Sequence, residues 1–143
     1  MARLLALLLS ICASAAALQL PAVGAARRAP PARMDMTSDR IEKMIADNKI
    51  MLFMKGNKLF PQCGFSNTAV MILKAVTESN GADFETFDVL SDQEVREGIK
   101  EYSNWPTIPQ CYVDGEFIGG CDLLIEMYQN GELAEMVEKS AAS

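Results

Sequence analysis

The segment IMLFMKGNKLFPQCGFSNTAVMILKAV, residues 50–76, decides the architecture. It opens on a continuous apolar run, Ile50-Met51-Leu52-Phe53-Met54, the pattern of a strand buried on both faces. A short loop with Lys55-Gly56 and Pro61 follows. From about Asn67 the apolar residues Ala69, Val70, Ile72, Leu73 and Val76 recur at helical spacing up to a stop at Asn80-Gly81. Cys63 therefore stands at a strand-to-helix corner. There it meets unpaired backbone N–H groups and the positive end of a helix dipole, both of which favour thiolate over thiol. Three residues on stands Ser66, where a two-cysteine redox motif would carry its second thiol. A hydroxyl cannot form a disulfide, so this thiolate needs an outside thiol, a metal or a cysteine from elsewhere. The bland alternative is an inert buried thiol.

Around this segment the pattern alternates. Thr37 or Ser38 can cap a helix from Asp39 to about Asp47, with Ile41, Met44 and Ile45 on one face and Asn48 ending it. Phe84 to Leu90 reads as a second strand. Asp92 to Tyr102 reads as a charged helix with Val95 and Ile99 inward. Gln110 to Val113 and Glu116 to Ile118 flank Asp114-Gly115, a two-residue hairpin signal. A last helical region runs from Asp122 to near Lys139, broken once at Asn130-Gly131. The order α-β-α-β-α-β-β-α predicts a mixed four-stranded α/β sheet flanked by helices.

The first 34 residues differ. Arg3, the apolar run Leu4 to Ala13 and the small-residue run Ser14 to Ala17 resemble a secretory signal. The run is too short to span a membrane. Leu18 to Arg33 adds basic residues and prolines without an acid, as transit peptides do. We expect residues 1–34 to be a cleaved targeting leader and residues 35–143 the functional domain. The signal-then-transit order resembles the bipartite presequence of algae with secondary plastids. A single mitochondrial or plastid leader, or simple secretion, stays open. Four of the 13 basic residues and none of the 19 acidic ones fall in the leader, which leaves the domain at a net charge of −10. Such a domain is ill suited to nucleic acid or an anionic membrane.

The chain has no histidine. That removes the commonest general base and a common metal ligand, so any chemistry rests on cysteine, carboxylate, lysine or a bound cofactor. Of the four cysteines, Cys12 leaves with the leader, and Cys63, Cys111 and Cys121 do not have metal-finger spacing. Cys111 reads as a small apolar strand residue. The nine methionines fall at core spacing or in the leader, and Asp88, Asp92, Glu94 and Glu97 read as a solvated face.

Cys63-Gly64-Phe65-Ser66, with Lys55-Gly56 upstream and Trp105-Pro106-Thr107-Ile108-Pro109 and Gly119-Gly120-Cys121-Asp122 downstream, resembles the single-domain monothiol glutaredoxins. The resemblance spans roughly Thr37 to Lys139 and implies a thioredoxin-like fold with Pro109 in cis. It also implies a glutathione site. Lys55 and Arg96 would hold the glycyl carboxylate, Ile108 just before Pro109 would pair by backbone with the cysteinyl part, and Cys121 and Asp122 would take the γ-glutamyl end. Arg96 could instead ion-pair with Asp92. Cys121 could be a backbone contact, a resolving thiol for Cys63, or filler. Trp105 reads as a packing anchor or partner surface. Departures from the family pattern are a longer helix end over Thr77 to Gly81, Cys111 in place of a β-branched residue, and Lys58 as an extra cation with Phe60 beside the site.

By this resemblance Cys63 is both the reactive thiolate and a ligand of a [2Fe–2S] cluster, which wants four ligands, usually thiolates. Two chains and two glutathione molecules supply four. The expected function is iron–sulfur cluster carriage in a plastid, or alternatively a mitochondrion. The expected partners are a second copy, a BolA-like protein and acceptor apo-proteins. The rival reading is a glutathione-dependent thiol–disulfide oxidoreductase acting on glutathionylated proteins, with weak activity.

Overall fold

The computed structural model describes residues 31–143, with side chains from residue 35 onward. Most of the expected leader, Cys12 included, lies outside the described residues. The elements are α1 (Pro31–Ala46), β1 (Ile50–Met54), α2 (Gly64–Asn80), β2 (Glu85–Asp88), α3 (Gln93–Tyr102), β3 (Gln110–Val113), β4 (Glu116–Gly119), α4 (Cys121–Asn130) and α5 (Glu132–Ala142). The strands form one sheet in the order β2-β1-β3-β4. β1 and β2 are parallel, β1 and β3 antiparallel, β3 and β4 antiparallel. The expected mixed four-stranded sheet flanked by helices is what the chain forms.

The run 50–54 is apolar throughout because β1 is central and covered on both sides. Its side chains alternate faces. Ile50, Leu52 and Met54 pack with α2, α4 and α5 through Leu73, Leu124 and Leu133. Met51 and Phe53 pack with α1 and α3 through Ile41, Ile45, Val95 and Ile99. Each such fully buried apolar side chain contributes roughly 1.5–3 kcal/mol.

Helix α1 starts at Pro31, well before the expected Asp39. Thr37 and Ser38 are thus inside the helix and do not cap it. Proline is tolerated at the first helical position, where its missing N–H is unpaired in any case. Thr37 is buried, and a Cβ placed on Gly98 of α3 would come within 2.8 Å of its Cγ2 and 3.2 Å of Ile41 Cδ1. The absent side chain at 98 lets α1 lie close on α3. At the other end Asn48 Nδ2 donates to Met44 O at 2.8 Å, as the stop signal required.

Several other boundaries follow the sequence reading closely, although β2 is shorter than the expected Phe84 to Leu90. Gly81 ends α2 in the left-handed conformation at φ 64°. Asp114 and Gly115 take φ 49° and 84°, the pair of positive values a type I′ hairpin turn needs. The expected break in the last helical region is Gly131, at φ 88°, with α5 continuing to Ala142. Among the described residues no helix is long and apolar enough to cross a membrane.

The carboxylates read as a solvated face are partly structural. Asp92 caps α3, accepting from the N–H groups of Glu94 and Val95, and pairs with Arg40 at 2.9 Å. Asp88 Oδ1 accepts from Gly56 N–H and Leu90 N–H, each at 2.9 Å.

Candidate functional site

Cys63 stands at the N-terminal boundary of α2, with extended backbone angles (φ −149°, ψ 140°), and Asn67 N–H bonds its carbonyl at 2.9 Å. The helix begins at Gly64, three residues earlier than the apolar periodicity indicates. The first turn of α2 therefore wraps the sulfur. The neutral thiol makes no cap hydrogen bond, but the thiolate is held below the ordinary range, first by the N–H of Ser66 and then by that of Phe65, the Lys55 charge and the Ser66 hydroxyl, against the opposing effect of burial. The thiol is partly exposed.

The loop before it is built from its own short-range bonds. Gly56 at φ 87° bridges to Pro61. A Cβ at 56 would collide with Phe60 O and stand 2.8 Å from Gln62 N, so this turn requires glycine. Asn57 Oδ1 accepts from Leu59 N–H and Phe60 N–H at 2.9 Å each, which leaves both apolar side chains in solvent. Phe60 does not line the groove described below. Lys58 is no site cation. It bonds Asp83 at 3.1 Å and Glu85 at 3.4 Å, and lies 4.7 Å from the Phe84 ring centroid. Its partners stand some 25 residues on and could not be read locally.

Beside Cys63 opens a groove of about 700 Å³, within the range of sites that take small ligands. Lys55, Cys63, Arg96, Ile108, Pro109, Cys121 and Asp122 all line it, so the residues singled out in the sequence converge on one surface. The Ile108–Pro109 peptide is cis, as the resemblance implied. Gln110 is fully buried behind this loop, and its Nε2 donates to Trp105 O at 2.9 Å and Thr107 O at 3.1 Å.

Gly119 takes φ 135°, and a Cβ there would stand 2.9 Å from Leu123 Cβ. A Cβ on Gly120 would press Trp105 Nε1 at 3.3 Å and Pro109 O at 3.4 Å. The two glycines thus let β4 turn directly into α4 along the groove. Trp105 packs against Phe117 at 5.8 Å between centroids, the anchoring role read for it, while its ring also lines the groove.

The alternative for Arg96 is overturned. Asp92 is taken by Arg40 and by the cap of α3, and Arg96 Nε is buried with no partner. The groove also holds a third cation that the sequence reading missed, Lys100, one turn beyond Arg96 on the same face of α3. The i, i+4 spacing was the available signal. Its Nζ bonds Glu97 at 3.1 and 3.2 Å. Ser66 was read only for the thiol it lacks. It is fully buried, and its Oγ accepts from Lys55 N–H at 3.2 Å.

The other two thiols are quieter. Burial pushes Cys111 up to about 12. Burial, then the charges of Asp122 and Cys63, push Cys121 up as well. Iodoacetamide at neutral pH, read by peptide mass mapping, is therefore expected to label Cys63 first, at a pH where an ordinary thiol is still sluggish. Cys121 should follow slowly and Cys111 only on unfolding. Labelling of Cys121 ahead of Cys63 would contradict this electrostatic picture.

The glutaredoxin family model matches residues 50–118. An uncharacterized monothiol glutaredoxin (ycf64-like) of Synechocystis is 62% identical over 107 residues, covering 75% of this chain and 96% of that protein. The chain belongs to the glutaredoxin family. Its relatives place it with the monothiol members: chloroplastic monothiol glutaredoxin-S14 of Arabidopsis thaliana is 50% identical over 105 residues, 73% of this chain and 58% of that one. The solution structure of reduced poplar apo GrxS14 superposes with a TM-score of 0.63 at 51% identity, covering 73% of this chain and 93% of that one. The fold of this monothiol glutaredoxin is accordingly thioredoxin-like.

Proposed function

We propose that this glutaredoxin carries [2Fe–2S] clusters between proteins, using glutathione as a co-ligand. The observation that carries the reading is one activated thiolate, Cys63, with a serine hydroxyl in place of its resolving partner, at the edge of a groove lined by cations and a helix start. Among the described residues no three histidine, cysteine, aspartate or glutamate side chains form a metal-binding group. A single chain thus offers Cys63 as one ligand. A pair of chains with two glutathione thiolates offers four, two of them exchangeable, which suits hand-over of the cluster as cargo.

The groove fits glutathione in this reading. Arg96 has a buried nitrogen with no protein partner, which a carboxylate could answer. With Lys55 it would hold the glycyl end. The backbone at Ile108 would pair with the cysteinyl part as an added strand. The first turn of α4 at Cys121 and Asp122, where helix amides favour an anion, would take the γ-glutamyl end. Its partners would be a second copy, a BolA-like protein replacing that copy, and acceptor apo-proteins. The oxidoreductase reading ranks below it: Ser66 supplies no second thiol and Cys121 is pushed away from the thiolate form, which leaves a second glutathione to free Cys63. The chloroplastic name of the Arabidopsis relative and the basic, acid-free residues 1–34 support a plastid location, with the leader ending near residue 34 and the domain covering 35–143.

Anaerobic reconstitution with iron, sulfide and glutathione is expected to give a brown species that elutes as a dimer, and no colour when glutathione is left out. A colourless monomer under full conditions removes the carrier reading. Rapid turnover of a glutathionylated substrate would put the oxidoreductase first.

A further inference from the structure

The backbone around Lys55 is held from three directions. Its own N–H donates to Ser66 Oγ at 3.2 Å, from α2. Its carbonyl accepts from Gln62 N–H at 2.9 Å, from the loop ahead of Cys63. The next N–H, on Gly56, donates to Asp88 Oδ1 at 2.9 Å, from the end of β2. Asp88 is itself fixed: the same oxygen accepts Leu90 N–H at 2.9 Å, and its carbonyl accepts Ser91 Oγ at 2.6 Å and Ser91 N–H at 3.1 Å. Neither Ser66 nor Asp88 lines the groove, whereas Lys55 does.

We propose that Ser66 and Asp88 are positioning residues that clamp the backbone on the two sides of Lys55, at its own N–H and at that of Gly56, and so set where the Lys55 ammonium meets the ligand carboxylate. The inference rests on the glutathione reading above and adds to it the two side chains through which Lys55 is aimed. A lysine side chain has four rotatable bonds and is not itself pre-organised. What the fold can fix is where its stem leaves the backbone, and a displacement of about 1 Å at a binding group is costly. The turn also requires glycine at 56, which sits at φ 87° with no room for a Cβ. The carboxyl of Asp88 acts here as an acceptor, so an amide in its place should serve.

The test is the dissociation constant for reduced glutathione, read by NMR titration of amide shifts in a Cys63→Ser background, with thermal melts confirming the fold. Lys55→Ala is expected to weaken binding by about tenfold, the scale of one charge-assisted hydrogen bond. Asp88→Ala and Ser66→Ala should each weaken it by roughly three- to tenfold, and Asp88→Asn should recover most of that loss. In a Lys55→Ala background the same two alanine changes should cost nothing more, the signature of residues acting through one partner. Equal losses with and without Lys55, or none with Lys55 in place, would overturn the clamp while leaving the glutathione site standing. If Lys55→Ala leaves glutathione binding unchanged, the glutathione site itself is misplaced and the clamp falls with it. If Asp88→Ala fails to fold, Ser66→Ala with its Lys55 cycle decides alone.

Discussion

Cys63→Ser is expected to abolish the reconstituted cluster completely: no visible absorbance, no dimer held by it, and no alkylation at the corner. The change is isolated to the sulfur. Serine is among the best residues at a helix N-cap, where cysteine here makes no cap bond, so the substitution should leave helix α2 as stable as before or up to about 1 kcal/mol more so. A serine hydroxyl stays protonated where this thiol ionises, because the N–H groups of Ser66 and Phe65 and the Lys55 charge lower the thiol and cannot bring an alcohol into range. Cys121→Ser should keep its colour, since the side chain is buried and its thiolate disfavoured. The pair of results is read by absorption spectra and gel filtration after identical reconstitution. Colour in Cys63→Ser, or its loss in Cys121→Ser, would assign the ligand to the wrong cysteine.

Phe53→Ala should be the most damaging single core change, costing about 3–5 kcal/mol of folding free energy. Phe53 is fully buried in the central strand, between β2 and β3. Its ring stands 6.0 Å from that of Phe87 and 5.8 Å from that of Tyr112, the second edge-on at 81°. Removing it leaves a cavity bounded by sheet and helices that have little freedom to close in. Against a total stability of about 5–15 kcal/mol for a domain of this kind, the loss amounts to roughly a fifth at the least and all of it at the most. Urea unfolding followed by circular dichroism measures it directly. A cost under about 1 kcal/mol would mean that the core relaxes around the gap, which the packing described above does not allow. Phe53 lies two residues before Lys55, so glutathione binding should weaken in the same variant.

What the sequence revealed and what it hid divide by distance along the chain. The strand 50–54, the hairpin at Asp114-Gly115 and the helix stops at Asn48 and Gly81 carry local signals and were legible. The residues that the family motifs singled out do converge on one groove. The start of α1 was not legible, because residues 31–36 show no apolar stripe and Pro31, the first helical residue, falls in the stretch that reads as a leader. The start of α2 at Gly64 escaped for the same reason: Gly64 and Phe65 add nothing to the buried stripe of the helix, and Phe65 is exposed. The hydroxyl of Ser66 takes its meaning from an N–H eleven residues back. Gln110 reads as the first residue of a strand, and only the fold turns its amide toward the carbonyls of Trp105 and Thr107. Asp92 was open to pairing with Arg96 on one helix, and a residue 52 positions away took it instead.

The close seat of α1 on Gly98 has an outcome at the far side of the same helix. α3 carries Gly98 toward α1 and Arg96 toward the groove, so the N-terminal helix braces the back of the wall that presents the arginine. Trimming the chain through Thr37 would leave Ile41 and Ile45 on the central strand yet loosen that brace at its Thr37 contact. The injury would show as a slackened grip on ligand well before it showed as a molten interior.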